Sequence, residues 1–285
     1  MKKLVFDQAE GIVYRPPTEA HSFILRVTTG CSHNACTFCD MYRQVNFCIR
    51  SEQDIRQQIE QAARHKPGIK RVFLADGNAL VLSTEKLLQI LALLSQAFPN
   101  LTRVTCYASA KDIIRKTPAE LTALKDAKLK LFYMGIESGD DQVLTAINKG
   151  ATAAEMVAAG QRAAVAGIKL SVSIMLGLGG KERTTAHALN TARAITQINP
   201  NMLGILTTTL LEGTPLAEAA QRGQFNHLNQ KEMLAELKLM LEHINVPGPC
   251  VFDTTHPFNL LPQRGVLPKD KPLLLSEIDE VISVQ

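Results

Sequence analysis

Three cysteines, Cys31, Cys36 and Cys39, fall within nine residues in the stretch GCSHNACTFCD, directly after the apolar run from Phe23 to Val27. Thiolates at such short spacing hold iron–sulfur clusters. A four-iron cubane carried by three cysteines leaves one iron without a protein ligand, open to bind and activate a small molecule. Zinc is the competing chemistry, because His33 could complete a set of three cysteines and one histidine. The usual zinc knuckles, however, use two separated ligand pairs, and a second pair is missing from the chain. Ordinary reduced thiols are the remaining reading.

Other polar residues interrupt apolar stretches. Asp76-Gly77-Asn78 breaks FLADGNALVL, where the glycine allows close backbone approach and the flanking acceptors suit an ammonium group. The same tripeptide is also an everyday turn. Glu137 ends an apolar strand-like segment, where a carboxylate without a partner is costly and a ligand hydroxyl or ammonium would compensate. Lys149 follows at a helix end, a common place for an exposed lysine. Gly177, Gly179 and Gly180 provide either a close backbone approach or a plain strand-to-helix turn. Cys48 and Cys106 read as packing thiols. Cys250, between Pro249 and Val251, could face a substrate.

The elements that must position these groups alternate along the chain. Strands are expected at Phe23–Thr28, Arg71–Ala75, Arg103–Tyr107, Leu129–Gly135, Ile168–Leu176 and Met202–Thr208. Helices are expected from Ser51, with Asp54 as its box partner and an apolar face of Ile55, Ile59, Ala62 and Ala63, and from Ser83, with Leu87, Ile90, Leu91 and Leu94. Thr117-Pro118-Ala119-Glu120 is a third helix start, and further helices run over Asp140–Ile147, from Thr152, and over Thr184–Ile198 and Gln230–Ile244. Six successive βα units imply an α/β fold with a parallel sheet. A partial barrel and a doubly wound open sheet both satisfy the periodicity. In either, ligands gather at the C-terminal strand ends, where the cysteine loop, Asp76, Ser109, Glu137, Gly177 and the Thr209–Pro215 segment lie.

The chain has 285 residues, 46% of them hydrophobic, which is ample for a large core. Its net charge of +4 permits a nucleic-acid or phosphorylated substrate without arguing for one. The N-terminal MKKLVFDQAEG lacks the apolar stretch of a leader, and no run of apolar residues is long enough to span a membrane. A reducing cytoplasm is the expected compartment, where clustered cysteines bind metals more often than they cross-link.

The motifs together resemble the radical S-adenosylmethionine (SAM) superfamily, in the branch of the methylthiotransferases, coproporphyrinogen dehydrogenases and the radical subunit of Elongator. The likeness covers Phe23 to Pro215. It implies a partial (βα)6 TIM-like barrel with parallel strands, a 4Fe-4S cluster on Cys31, Cys36 and Cys39, and SAM as cofactor. The family spacing is C-x3-C-x2-C; this chain has C-x4-C-x2-C, one residue more. By the resemblance, Phe38 packs near the adenine. Asp76, Gly77 and Asn78 replace the usual Gly-Gly-Glu that holds the methionyl amino group. Glu137 lies near the cofactor and Lys149 near its carboxylate, Ser173 makes a polar cofactor contact, and Gly177 lets backbone approach the adenine. Ser109, at its strand end, joins the expected cofactor-binding set, and no catalytic residue is assigned.

The expected organisation is an N-terminal extension (1–20), a barrel core (21–225) and a C-terminal helix with an irregular tail (226–285). In that tail His256, Asn259, Arg264, Lys269 and Lys271 could cover the barrel mouth. A one-electron donor of flavodoxin or ferredoxin type and a small-molecule or carrier-bound substrate are the expected partners. RNA modification and a non-catalytic iron–sulfur redox sensor are the alternative functions.

Overall fold

The structure is a computed structural model and describes residues 12–284. The leader reading of residues 1–11 lies outside the described residues. The chain divides into two compact units. One holds the chain up to Asn34, Met41–Tyr133 and Arg162–Lys169; the other holds Ala35–Asp40, Met134–Gln161 and the chain from Leu170 onward.

The first unit contains β1 (Phe23–Arg26), β2 (Thr28–Thr29), β3 (Cys48–Ile49), α1 (Glu52–His65), β4 (Arg71–Ala75), α2 (Thr84–Ala97), β5 (Arg103–Tyr107), α3 (Ala110–Arg115), α4 (Pro118–Asp126) and the first part of β6 (Leu129–Glu137). Its strand order is β1-β4-β5-β6, parallel at each step. The helix starts follow the local chemistry. Ser51, Ser83 and Thr117 each accept a backbone N–H from three residues on, and Thr117 with Glu120 closes a reciprocal capping box. The short α3 has no expectation in sequence; Ser109 caps it through the Asp112 amide.

Alternation of side chains gives this sheet two faces. Ile24, Phe73, Thr105 and Leu131 are in register on one of them. Along the same face, Ile24, Phe73, Ala75, Leu131 and Tyr133 form one buried cluster, with Tyr107 packed against it. Phe73 meets the rings of Tyr107 and Tyr133 edge-on at 5.1 and 6.0 Å. The buried carboxylate of Glu19 accepts from Tyr133 Oη at 2.7 Å, from Arg103 at 2.9 Å and from the Ser22 hydroxyl.

The second unit contains the end of β6, α5 (Asp141–Ala146), most of α6 (Ala153–Val165) and of β7 (Lys169–Leu176), α7 (Gly180–Ile198), β8 (Met202–Thr207), α8 (Pro215–Gln221), α9 (Gln230–His243), β9 (Cys250–Asp253), β10 (Arg264–Leu267) and α10 (Lys271–Val284). Its strand order is β6-β7-β8-β9-β10; β7, β8 and β9 run parallel, and β10 is antiparallel to β9. The sequence pattern predicts an irregular tail after Ile244. Instead the tail adds two strands to the sheet and ends in a helix. Four-residue strands carry too little alternation to be seen, and α10 buries only the narrow pair Leu274 and Ile278 deeply while Leu273 stays exposed. Helix α7 begins four residues before Thr184, because its first turn has no side-chain cap to mark it.

Candidate functional site

In the first unit, Asp76 follows β4 and is 1% exposed. Its carboxylate accepts from Arg26 Nε at 3.3 Å and from the Gly30 amide at 3.3 Å, and its own amide donates to Thr28 Oγ1 at 3.0 Å. The Gly77 amide donates to the Gly30 carbonyl at 3.2 Å. The end of β4 is thereby fastened to the residue before Cys31. Gly77 must be glycine: a Cβ there would lie 3.0 Å from Cys31 Cβ and 2.8 Å from Tyr42 Cε2. The close approach expected at this glycine is thus made to side chains of the protein itself. Asn78 donates to Ser32 Oγ at 2.9 Å and to Asp112 at 2.5 Å, and accepts from the Ser109 amide at 3.3 Å. Asn78 and Ser109 therefore meet in one network that reaches the neighbour of Cys31.

Tyr42 went unnoticed in the sequence. Its side chain is 5% exposed, its ring meets Tyr14 edge-on at 5.4 Å, and its hydroxyl has no hydrogen-bond partner. Burial, and then the Asp76 carboxylate, push the phenol well above its ordinary range. The available signal was one aromatic three residues after Cys39 in a polar loop.

In the second unit, the segment carrying Cys36, Phe38 and Cys39 is pinned by its backbone. The Thr37 amide donates to the Ile147 carbonyl at 2.9 Å, the Leu216 amide donates to the Thr37 carbonyl at 3.1 Å, and Asn148 donates to the Ala35 carbonyl at 3.2 Å. Phe38 is half-buried. Glu137 ends β6 with φ of +65° and pairs with Lys149, Nζ to Oε1 2.9 Å. Gly135 leaves room for this pair, since a Cβ there would run into both side chains. Ser173 lies on the half-buried face of β7 with Ser171 and Met175, in register with Gly204.

Gly177 has φ of +75°, and a Cβ there would meet Met233 Sδ at 2.6 Å. Its amide donates to Glu236 of α9 at 2.6 Å, and Glu236 also accepts from the Thr184 hydroxyl at 2.6 Å. Burial pushes the Glu236 carboxyl up to about 7 and the His187 imidazole down to about 4. Neutral His187 donates from Nε2 to the Met175 carbonyl (3.1 Å) and accepts at Nδ1 from Ser138 (2.8 Å). Its 3.7 Å approach to Glu236 is therefore not an ion pair. Burial would raise Asp140; bonds from Arg183, the Val143 amide and Asn190 outweigh it and hold the carboxyl at about 2.

Cys31, Cys36 and Cys39 are half-buried. Cys106 and Cys250 are buried and pushed up, Cys250 to about 12, so both are packing thiols. Cys48 departs from its packing expectation: it is exposed on β3 and accepts from Thr29 Oγ1 at 3.3 Å. Among the tail residues, Lys271 is spent on the Glu242 and Ile244 carbonyls at 2.7 and 2.9 Å. Asn259 ties the 254–263 loop to β8, donating to the Ile205 carbonyl at 2.6 Å and accepting from Thr207 at 3.0 Å. Among the described residues, no three His, Cys, Asp or Glu side chains are gathered as a metal-ligand set, and no helix is long and apolar enough to cross a membrane.

The family profile of the radical SAM superfamily matches residues 25–192, more than half of the chain. The chain belongs to the radical SAM superfamily. Its cofactors are accordingly a 4Fe-4S cluster and SAM. This radical SAM protein is 22% identical over 229 residues to an uncharacterized protein of Methanocaldococcus jannaschii, covering 76% of this chain and 69% of that one. It is 22% identical over 217 residues to the heme chaperone HemW of Bacillus subtilis, covering 73% of this chain and 55% of HemW. Coproporphyrinogen III oxidase (HemN) of Escherichia coli is similar in structure, with a TM-score of 0.56 at 16% identity over 77% of this chain and 51% of that one. The chain thus spans about half the length of HemW and of HemN. The structural likeness shows the fold, the α/β partial (βα)6 barrel.

The residues present fit the cofactors. The fit is one of donor type: three cysteine thiols are the donor chemistry of a cluster, although their side chains are not gathered as a ligand set among the described residues. Beside the first of them stand a glycine where no Cβ fits and a buried hydroxyl without an acceptor.

Proposed function

We propose that this chain is a radical SAM enzyme that abstracts hydrogen from a small-molecule or carrier-bound substrate, with Cys31, Cys36 and Cys39 as the cluster ligands. The observation that carries this reading is the set of three half-buried cysteines within nine residues, inside the segment that matches the family. When bound and reduced, the cluster supplies the electron that cleaves SAM to methionine and a 5′-deoxyadenosyl radical.

The protein's own residues place the groups and exclude water. Asp76, held by Arg26, fixes the Gly30 backbone and with it the start of the thiol loop. Asn78, Ser109 and Asp112 brace Ser32 on the other side of Cys31. Backbone bonds at Thr37 hold the segment of Cys36 and Cys39, with Phe38 turned to the adenine in this reading. The Lys149–Glu137 pair offers a cation to a carboxylate and an anion to a hydroxyl or ammonium of SAM. Ser173 supplies a polar contact, and Gly177 a backbone approach to the adenine. Residues 21–225 form the core in this reading. Residues 226–285 complete it, a role supported by the Asn259 tether of the 254–263 loop to β8. A flavodoxin- or ferredoxin-type protein delivers the electron, and the reducing cytoplasm is the matching compartment.

The test is anaerobic reconstitution with iron and sulfide, followed by detection of 5′-deoxyadenosine. Wild type is expected to take up the cluster and cleave SAM. Cys31→Ala is expected to lose both, and SAM cleavage retained in that variant overturns the assignment.

A further inference from the structure

Tyr42 is a buried polar side chain without a role in the reading above. Leaving a buried hydroxyl without an acceptor is costly. The side chain is 5% exposed, and its Oη has no hydrogen-bond partner. Its location is specific. The point where a Gly77 Cβ would stand is 2.8 Å from Tyr42 Cε2 and 3.0 Å from Cys31 Cβ. The ring edge that carries the hydroxyl and the base of the Cys31 side chain therefore flank the same point. Asp76 lies nearby, but both of its carboxylate oxygens already accept bonds, from Arg26 and from the Gly30 amide. A thiolate at Cys31 would be a strong acceptor on this side of the ring.

We propose that the Tyr42 hydroxyl donates a hydrogen bond to the Cys31 sulfur when that thiolate ligates the cluster, and so sets the cluster's reduction potential. This rests on the assignment of Cys31 as a ligand. A hydrogen bond to a cluster sulfur draws negative charge away and favours the reduced state, which raises the potential. Tyr42 is thus a positioning and tuning residue: it acts on the cluster through Cys31. The ring contact with Tyr14 and the packing on Gly77 would survive replacement by phenylalanine, because only the oxygen is removed.

The experiment compares wild type with Tyr42→Phe after anaerobic reconstitution, by iron and sulfide content and by a redox titration followed by electron paramagnetic resonance. Equal cluster content with a lower midpoint potential in Tyr42→Phe is the expected result. Equal midpoint potentials overturn the inference. If Tyr42→Phe does not hold a cluster, 3-fluorotyrosine at position 42 decides: its stronger donor should raise the midpoint potential, and an unchanged value overturns the inference. Failure of wild type to take up iron and sulfide overturns the ligand assignment beneath it, an outcome separate from unchanged potentials in loaded protein.

Discussion

Asp76 and Glu137 are acidic residues at the ends of two parallel strands, and each is neutralised by a different neighbour. Asp76 is spent on Arg26 and the Gly30 amide, with both charged side chains nearly free of solvent. Glu137 takes Lys149, and both keep some exposure, 11% and 18% of the side chain. Removing one member of a buried pair is far more costly than removing a surface charge. Asp76→Asn is therefore expected to lower the denaturation free energy by about 3 kcal/mol, measured in urea at neutral pH. A change below about 1 kcal/mol would show that the pair does not fasten the loop. Lys149 was singled out by the family resemblance; the thiols, by residue type and spacing, and Glu137, at the end of an apolar run, were legible in the sequence itself. Tyr42, Glu236 and His187 were not, because their burial depends on Gly77, Gly177 and Ser138, residues distant in sequence.

Helix starts are the elements that the sequence states most openly. Ser51, Ser83, Thr117 and Asp140 each carry the cap in their own side chain. Asp140 does more than cap α5, since it also accepts from Arg183 and Asn190 of α7. Its carboxyl is held at about 2, below the unfolded carboxylate value, so the folded state favours the charged form. This stabilisation is present above about pH 4 and is lost as pH falls through about 2. Asp140→Asn is expected to cost roughly 2 kcal/mol at pH 7 and much less near pH 2, as read by denaturation at both pH values. Equal costs at the two would place the effect in packing instead. The elements β9, β10 and α10 stayed hidden because short strands and a narrow apolar stripe leave no periodic signal.

At the scale of the whole molecule, stability against pH depends on buried groups far from the thiol loop in sequence. Glu236, held up at about 7, stabilises the fold below its unfolded value near 4, and this contribution is lost as pH rises through 7. His187, held down at about 4, contributes above its unfolded value near 6.5 and fails as pH falls through 4. Replacing Glu236 isolates the first term. Relative to Glu236→Gln, wild type is expected to lose up to about 3 kcal/mol of stability between pH 4 and pH 8, with His187 common to both. A pH-independent difference would mean that Glu236 does not change its protonation over this range. The parallel order of the sheet follows from βα alternation and was legible as a class, whereas its closing strands were not.

The placement of β9 beside β8 has one more consequence. Met202, Leu203 and Gly204 find register partners in Val251, Phe252 and Asp253, and β10 in turn pairs with β9. Polypeptide shortened to end after Val246 would strip β8 of that neighbour and open a row of amide and carbonyl groups to other copies. The last 39 residues thus move the edge of the sheet from the six-residue β8 to the four-residue β10, and a shorter edge offers fewer groups for another copy to pair with.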